Sequence, residues 1–108
     1  MTNYQLPHIS ATDAVAAQQS GIILLDVRKA DARGELTVAT ATWYDPMAFD
    51  HAVAATLAKP ETLIFCVHGH EVSQFVCALA RIHGVNARYV VGGYEALVAA
   101  GAATQVIE

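Results

Sequence analysis

The sequence predicts an α/β fold built on a mostly parallel sheet. Strand-like and helix-like segments alternate along the chain, and two of the strand-like runs, Ile22-Ile23-Leu24-Leu25 and Leu63-Ile64-Phe65, are apolar throughout. Alternation of this kind favours parallel strands joined by helices, and strands covered on both faces lose the polar-apolar pattern of half-exposed ones. Gly21, Gly84 and Gly101 each follow a helical segment and mark where it stops.

Residues 4–9 are expected as a short first strand. Ser10, with Asp13 three residues on, has the pattern of a cap for a helix over 11–20 that Gly21 ends. The run 22–25 then forms a strand that delivers Asp26-Val27-Arg28 to its C-terminal end, the side of an open α/β sheet where sites gather. Residues 29–43 are irregular, with a short helix to Arg33, a turn at Gly34 and a strand over 39–42. Pro46 starts a helix whose apolar periodicity runs over 47–58, closed by Lys59-Pro60. Residues 62–65 form the central strand, 73–83 the next helix, and 88–91 the last core strand. Gly92-Gly93 turns the chain tightly into a final helix over 94–100.

A chain of 108 residues suits one domain over 1–108. Hydrophobic residues make up 55% and charged residues 15%, which argues against disorder. With a net charge of −4 and six scattered Lys and Arg, the chain lacks the basic patch that nucleic acid or an anionic membrane would need. The start of the chain has no basic segment followed by an apolar one, and no run is long enough to span a bilayer, so a cytoplasmic location is expected.

The two cysteines do not make a disulfide framework, and they are chemically unequal. Cys77 lies among Phe75, Val76, Ala78 and Leu79, the setting of a small apolar side chain on a buried helix face. Cys66 ends an apolar strand and opens the segment Cys66-Val67-His68-Gly69-His70-Glu71-Val72-Ser73, after which a helix begins. A strand-to-helix junction aims backbone N–H groups and the positive end of the helix dipole at one point, which favours a thiolate nucleophile.

Asp26-Val27-Arg28 after an apolar strand, a cysteine loop opening a helix, Gly84 closing it, and Gly92-Gly93 beyond the next strand together resemble a single-domain rhodanese, a sulfurtransferase. The resemblance covers nearly the whole chain. It implies a rhodanese-like α/β fold, a five-stranded mostly parallel sheet with helices on both faces, and a catalytic Cys66 that carries sulfur as a persulfide. The donor would hold a sulfane sulfur, the acceptor would be a thiol or a cyanide-like nucleophile, and a protein partner is compatible with either role. No metal or organic cofactor is implied.

The loop departs from the family's usual Cys-Arg-x-Gly-x-Arg-Ser. Val67 stands at the first arginine, and either Glu71 or Val72 at the second, depending on whether one counts forward from Cys66 or back from Gly84. The two counts imply a loop one residue longer than usual. Residues Val67, His68, Gly69, His70, Glu71 and Val72 are the expected substrate contacts. His68 and His70 are either exposed loop residues without a specific duty or take one of three roles: cationic stand-ins for the missing arginines, a proton shuttle, or ligands in a Cys-x-His-x-His metal site, the last being the least favoured. Glu71 either pairs with a histidine or points to solvent. Asp26 and Arg28 are expected to support the site, and Trp43 either lines the mouth of the pocket or caps the core. His83 is explained by its place at a helix C-terminus, and His8 and His51 carry no signal.

The leading expectation is thus a sulfurtransferase or sulfane-sulfur carrier acting through Cys66, with thiosulfate a poor donor. The alternative from another class is a rhodanese-like module that binds a partner or senses an oxidant or metal with negligible turnover. Third is a Cdc25-like phosphatase or an arsenate reductase, suggested by loop length and disfavoured because valine cannot clamp an oxyanion as a bidentate guanidinium does.

Overall fold

The computed structural model describes residues 6–57 and 60–107. Five parallel strands form the main sheet in the order β1-β6-β5-β2-β4: β1 (His8–Ile9), β2 (Ile23–Asp26), β4 (Thr42–Trp43), β5 (Thr62–Phe65) and β6 (Ala87–Val90). Four helices, α1 (Ala11–Gln19), α2 (His51–Ala55), α3 (Glu71–Ile82) and α4 (Gly93–Ala99), connect or follow the strands. Two further strands, β3 (Leu36–Val38) and β7 (Thr104–Val106), pair antiparallel in a separate small sheet. The expected α/β sheet with five parallel strands is therefore present.

Because successive strand residues point to opposite faces, the apolar runs feed two cores. Leu25, Ile64 and Tyr89 pack with Ala54, Leu57, Val76, Leu79 and Ala80 from the side of α2 and α3. Leu24, Leu63, Phe65 and Val90 pack on the other face with Ala14 of α1 and Leu97 of α4. Both faces are covered, which is why β5 is buried along its whole length.

Local signals set most boundaries. The Ser10 side chain accepts a hydrogen bond from Asp13 N and caps α1 as expected, while Gly21 leaves it at φ 84°. The helix expected over 47–58 is instead a 3-10 turn at Pro46–Ala48 followed by the short α2. Between them Phe49 is extended and buried, and Asp45 and Asp50 accept from Met47 N and Val53 N, so each aspartate starts its own turn. The end of that expected helix, at Ala58 and Lys59, lies outside the described residues, as do Tyr4 and Gln5 of the expected first strand, which is confined to His8–Ile9. The strand expected over 39–42 begins only at Thr42. Helix α3 starts two residues earlier than expected, at Glu71, whose carboxylate suits the positive end of the dipole. Strand β6 and helix α4 each run one residue ahead of the expected bounds.

The loop from β3 to β4 turns through Thr40 at φ 71°, with Ala41 N donating to Val38 O at 3.1 Å. A β-branched residue in the left-handed region is strained, whereas glycine is not. Thr40→Gly is expected to stabilise the fold by about 0.5–1 kcal/mol, the left-handed penalty less glycine's extra chain entropy. Urea unfolding checks this, and an unchanged or lowered midpoint would contradict it.

Candidate active site

Cys66 directly follows β5, beside the end of β2, where Val27 N donates to Phe65 O at 2.9 Å. The loop after it is fixed to the start of α4. Tyr94 N donates to Cys66 O at 2.7 Å and Glu95 N to Val67 O at 3.4 Å. Gly69 and Gly93 make this approach sterically feasible. A Cβ on Gly69 would fall 2.6 Å from Val90 O, and one on Gly93 would fall 2.4 Å from Cys66 O and 2.6 Å from Gly69 N. Both also sit at positive φ, 73° and 63°, so side chains are excluded by strain as well as by space. Gly69, expected as a substrate contact, is buried against this turn and does not line the cavity.

A cavity of about 440 Å³ opens beside the cysteine. Of the expected site residues it gathers Cys66, Val67, His68, His70, Glu71, Val72 and Arg28. It adds Val27, Lys29 and Ala32, which the sequence did not single out. The Cys66 thiol, 6% exposed, donates to Ser73 Oγ at 3.2 Å, and Ser73 is fully buried in the first turn of α3. A hydroxyl rotor can turn either to accept from the sulfur or to donate to it. Ser73 was findable: counting back from Gly84 puts it at the serine of the rhodanese loop pattern.

Asp26 and Arg28, 0% and 2% exposed, form a buried knot behind the cavity. Arg28 Nε donates to Asp26 Oδ1 at 3.0 Å and Nη2 to Oδ2 at 2.9 Å, a bidentate pair. Arg28 Nη1 also reaches Arg33 O at 3.1 Å, Nη2 reaches Leu36 O at 2.8 Å, and Thr37 Oγ1 donates to Asp26 Oδ2 at 2.8 Å. The guanidinium lies 4.0 Å from the centroid of the Tyr94 ring, which connects the end of β2 to α4. A buried pair tolerates desolvation only when its polar atoms are met in this way. Trp43 does not line the cavity: its indole N–H donates to Arg28 O at 2.8 Å, and Arg33 stacks over the ring at 4.4 Å.

The two histidines of the loop differ. His68 Nδ1 lies 2.5 Å from Glu95 Oε2, so its carboxylate partner is on α4. Glu71 has no ion pair among the described residues and is exposed at the start of α3. The ring centroids of His68 and His70 are 6.3 Å apart. His51 and His83 pair with each other, Nδ1 to Nε2 at 2.8 Å, a contact between helices that the sequence did not suggest. Among the described residues no group of three or more His, Cys, Asp or Glu is placed to hold a metal ion.

Neither a family model nor a curated protein matches the sequence. Solved structures do match in shape. A rhodanese-related protein from Thermoplasma volcanium superposes with a TM-score of 0.78 at 19% identity, over 92% of this chain and 97% of that one. A thiosulfate sulfurtransferase from Pseudomonas aeruginosa matches with a TM-score of 0.74 at 20% identity, over 96% of this chain but only 20% of that longer one. A Rhodopseudomonas palustris protein described as a possible tyrosine phosphatase matches with a TM-score of 0.75 at 15% identity, over 93% and 85%. The chain therefore has the rhodanese-like fold. Among the described residues no helix is long and apolar enough to cross a membrane.

Cys77 is free and fully buried on α3, its thiol 3.9 Å from Pro7 O. Burial pushes that thiol up to about 11, against smaller opposing effects of Arg81 and a backbone hydrogen bond at Tyr89. The unfolded chain ionises Cys77 near the ordinary value of 9.0 and the folded chain only near 11, so its contribution is intact below pH 9 and stability falls as pH rises through that window. Cys77→Ala lacks this loss. The stability advantage of wild type over the variant is expected to shrink by up to about 1.4 kcal/mol per pH unit there. Urea unfolding at several alkaline pH values checks it, and a constant difference would contradict it.

Proposed function

We propose that the protein is a sulfurtransferase or sulfane-sulfur carrier that holds the transferred sulfur as a persulfide on Cys66. The observation that carries this is the position of the Cys66 sulfur: it lines a cavity at the C-terminal end of the central strand, hydrogen-bonded to Ser73 and next to the start of α3. The Cys66 thiolate attacks the outer sulfur of a donor. A new bond forms between Sγ and that sulfur, the donor's own bond to it breaks, and the electron pair leaves with the donor fragment. A nucleophilic acceptor then takes the outer sulfur and returns Cys66 to the thiolate. Such exchange suits a reducing compartment such as the cytoplasm, where both cysteines persist as thiols.

The lining supports a donor of low charge. Among the described residues Arg28 is the one guanidinium at the cavity, and its nitrogens already donate to protein oxygens. Lys29 and Glu71, opposite in charge, both line it, and Val27, Val67, Val72 and Ala32 fill out the wall. A persulfide on glutathione or on a partner protein fits this lining better than thiosulfate. Phosphoester chemistry is disfavoured on the same ground, because among the described residues no unengaged guanidinium lines the cavity to clamp a phosphoryl group. A binding or sensing module is the second reading, favoured by the same lack of a free arginine.

Intact mass after incubation with a sulfane donor tests the proposal. Wild type is expected to gain one sulfur, Cys66→Ser none, and cyanide or thiol should remove the gain. No adduct with any donor would favour the sensing module. Thiosulfate is expected to load Cys66 at least about tenfold more slowly than glutathione persulfide, given the absent charge-assisted contacts. Equal loading rates would contradict the low-charge donor.

A further inference from the structure

An imidazole can serve a neighbouring sulfur site as a proton carrier when a partner fixes the orientation of its ring, and His68 has such a partner. His68 lines the cavity that Cys66 lines, and its Nδ1 is 2.5 Å from Glu95 Oε2. With Nδ1 held by a carboxylate the tautomer is set, and Nε2 is the nitrogen left to exchange a proton. The pair does not depend on two flexible segments meeting by chance. His68 follows Val67, whose carbonyl accepts from Glu95 N, and the flanking Gly69 and Gly93 allow no wider side chain between the two segments. The side chains of His68 and Glu95 are 56% and 65% exposed, so their contact adds little to stability, and its effect is to orient the ring.

We propose that His68, positioned by Glu95, is the proton carrier for sulfur exchange between Cys66 and a thiol; this rests on the persulfide role given to Cys66 above. The incoming thiol loses its proton to His68 Nε2 as its sulfur attacks the outer sulfur of the Cys66 persulfide. A new S–S bond forms, the bond from the outer sulfur to Sγ breaks, and that electron pair stays on Sγ as the thiolate. The proton then passes from the imidazolium to the product persulfide or to water. No net oxidation occurs, since sulfane sulfur only moves from one thiol to another. The other charged or titratable groups of the cavity are Arg28, Lys29, His70 and Glu71. Among the described residues neither Lys29 nor His70 has an ion pair with a carboxylate.

The test compares two acceptors acting on sulfur-loaded Cys66, followed by intact mass. A simple alkyl thiol must lose a proton to react, whereas a neutral tertiary phosphine takes the sulfur with no proton to lose. In His68→Gln, discharge by the thiol is expected to slow by about 100-fold, the lower end of general acid–base catalysis, with discharge by the phosphine kept within about twofold of wild type. Glu95→Gln should be slowed in the same acceptor-selective way, by less. Equal slowing with both acceptors, or no slowing with either, overturns the proton role and leaves the persulfide intact. Absence of any sulfur adduct in wild type overturns the persulfide itself, a result that loading alone reveals before an acceptor is added.

Discussion

At Gly69 and Gly93 two segments approach so closely that neither position has room for a Cβ, and the cavity takes its form from that approach. The carbonyls of Cys66 and Val67 are consumed by the first N–H groups of α4, which fixes where the cysteine loop leaves the sheet. From that point the remaining loop residues enter α3, whose first turn carries Ser73 to the sulfur. A helix N-terminus has N–H groups with no intrahelical acceptor. Here α4 meets that need with the loop's own carbonyls, so its amides serve to anchor the loop.

The charge balance of the site follows from the pair behind it. Asp26 neutralises Arg28 inside the protein, and carbonyls of Arg33 and Leu36 complete the guanidinium's bonding. The pair therefore holds the segment after β2 in place. Arg28, expected from the sequence to support the site, is a strut between the sheet and α4, in contact with the Tyr94 ring. Trp43 belongs to the same support, since it bonds the Arg28 carbonyl and stacks under Arg33.

The central strands, α1 and the place of Cys66 were legible because each rests on local rules: apolar runs covered on both faces, a Ser cap, and glycines at positive φ where helices end. Features set by contacts distant in sequence were not. Strand β7 escaped notice because all three of its residues are exposed and its pairing with β3 leaves no apolar pattern. The break at Phe49 arises from burial of one ring between two aspartate caps, which helical periodicity cannot register. Within the site, the chain order placed the loop residues together but could not show that Gly69 faces α4, that Glu95 rather than Glu71 meets His68, or that Lys29 and Ala32 reach the cavity.

The cation–π contact of Arg28 with Tyr94 and the anchoring of the loop on α4 together tie both segments that line the cavity, 27–32 and 66–72, to one helix behind it. A chamber braced in this manner is formed before any ligand arrives. A ligand entering it would meet walls already set, with little ordering left for binding to bring about.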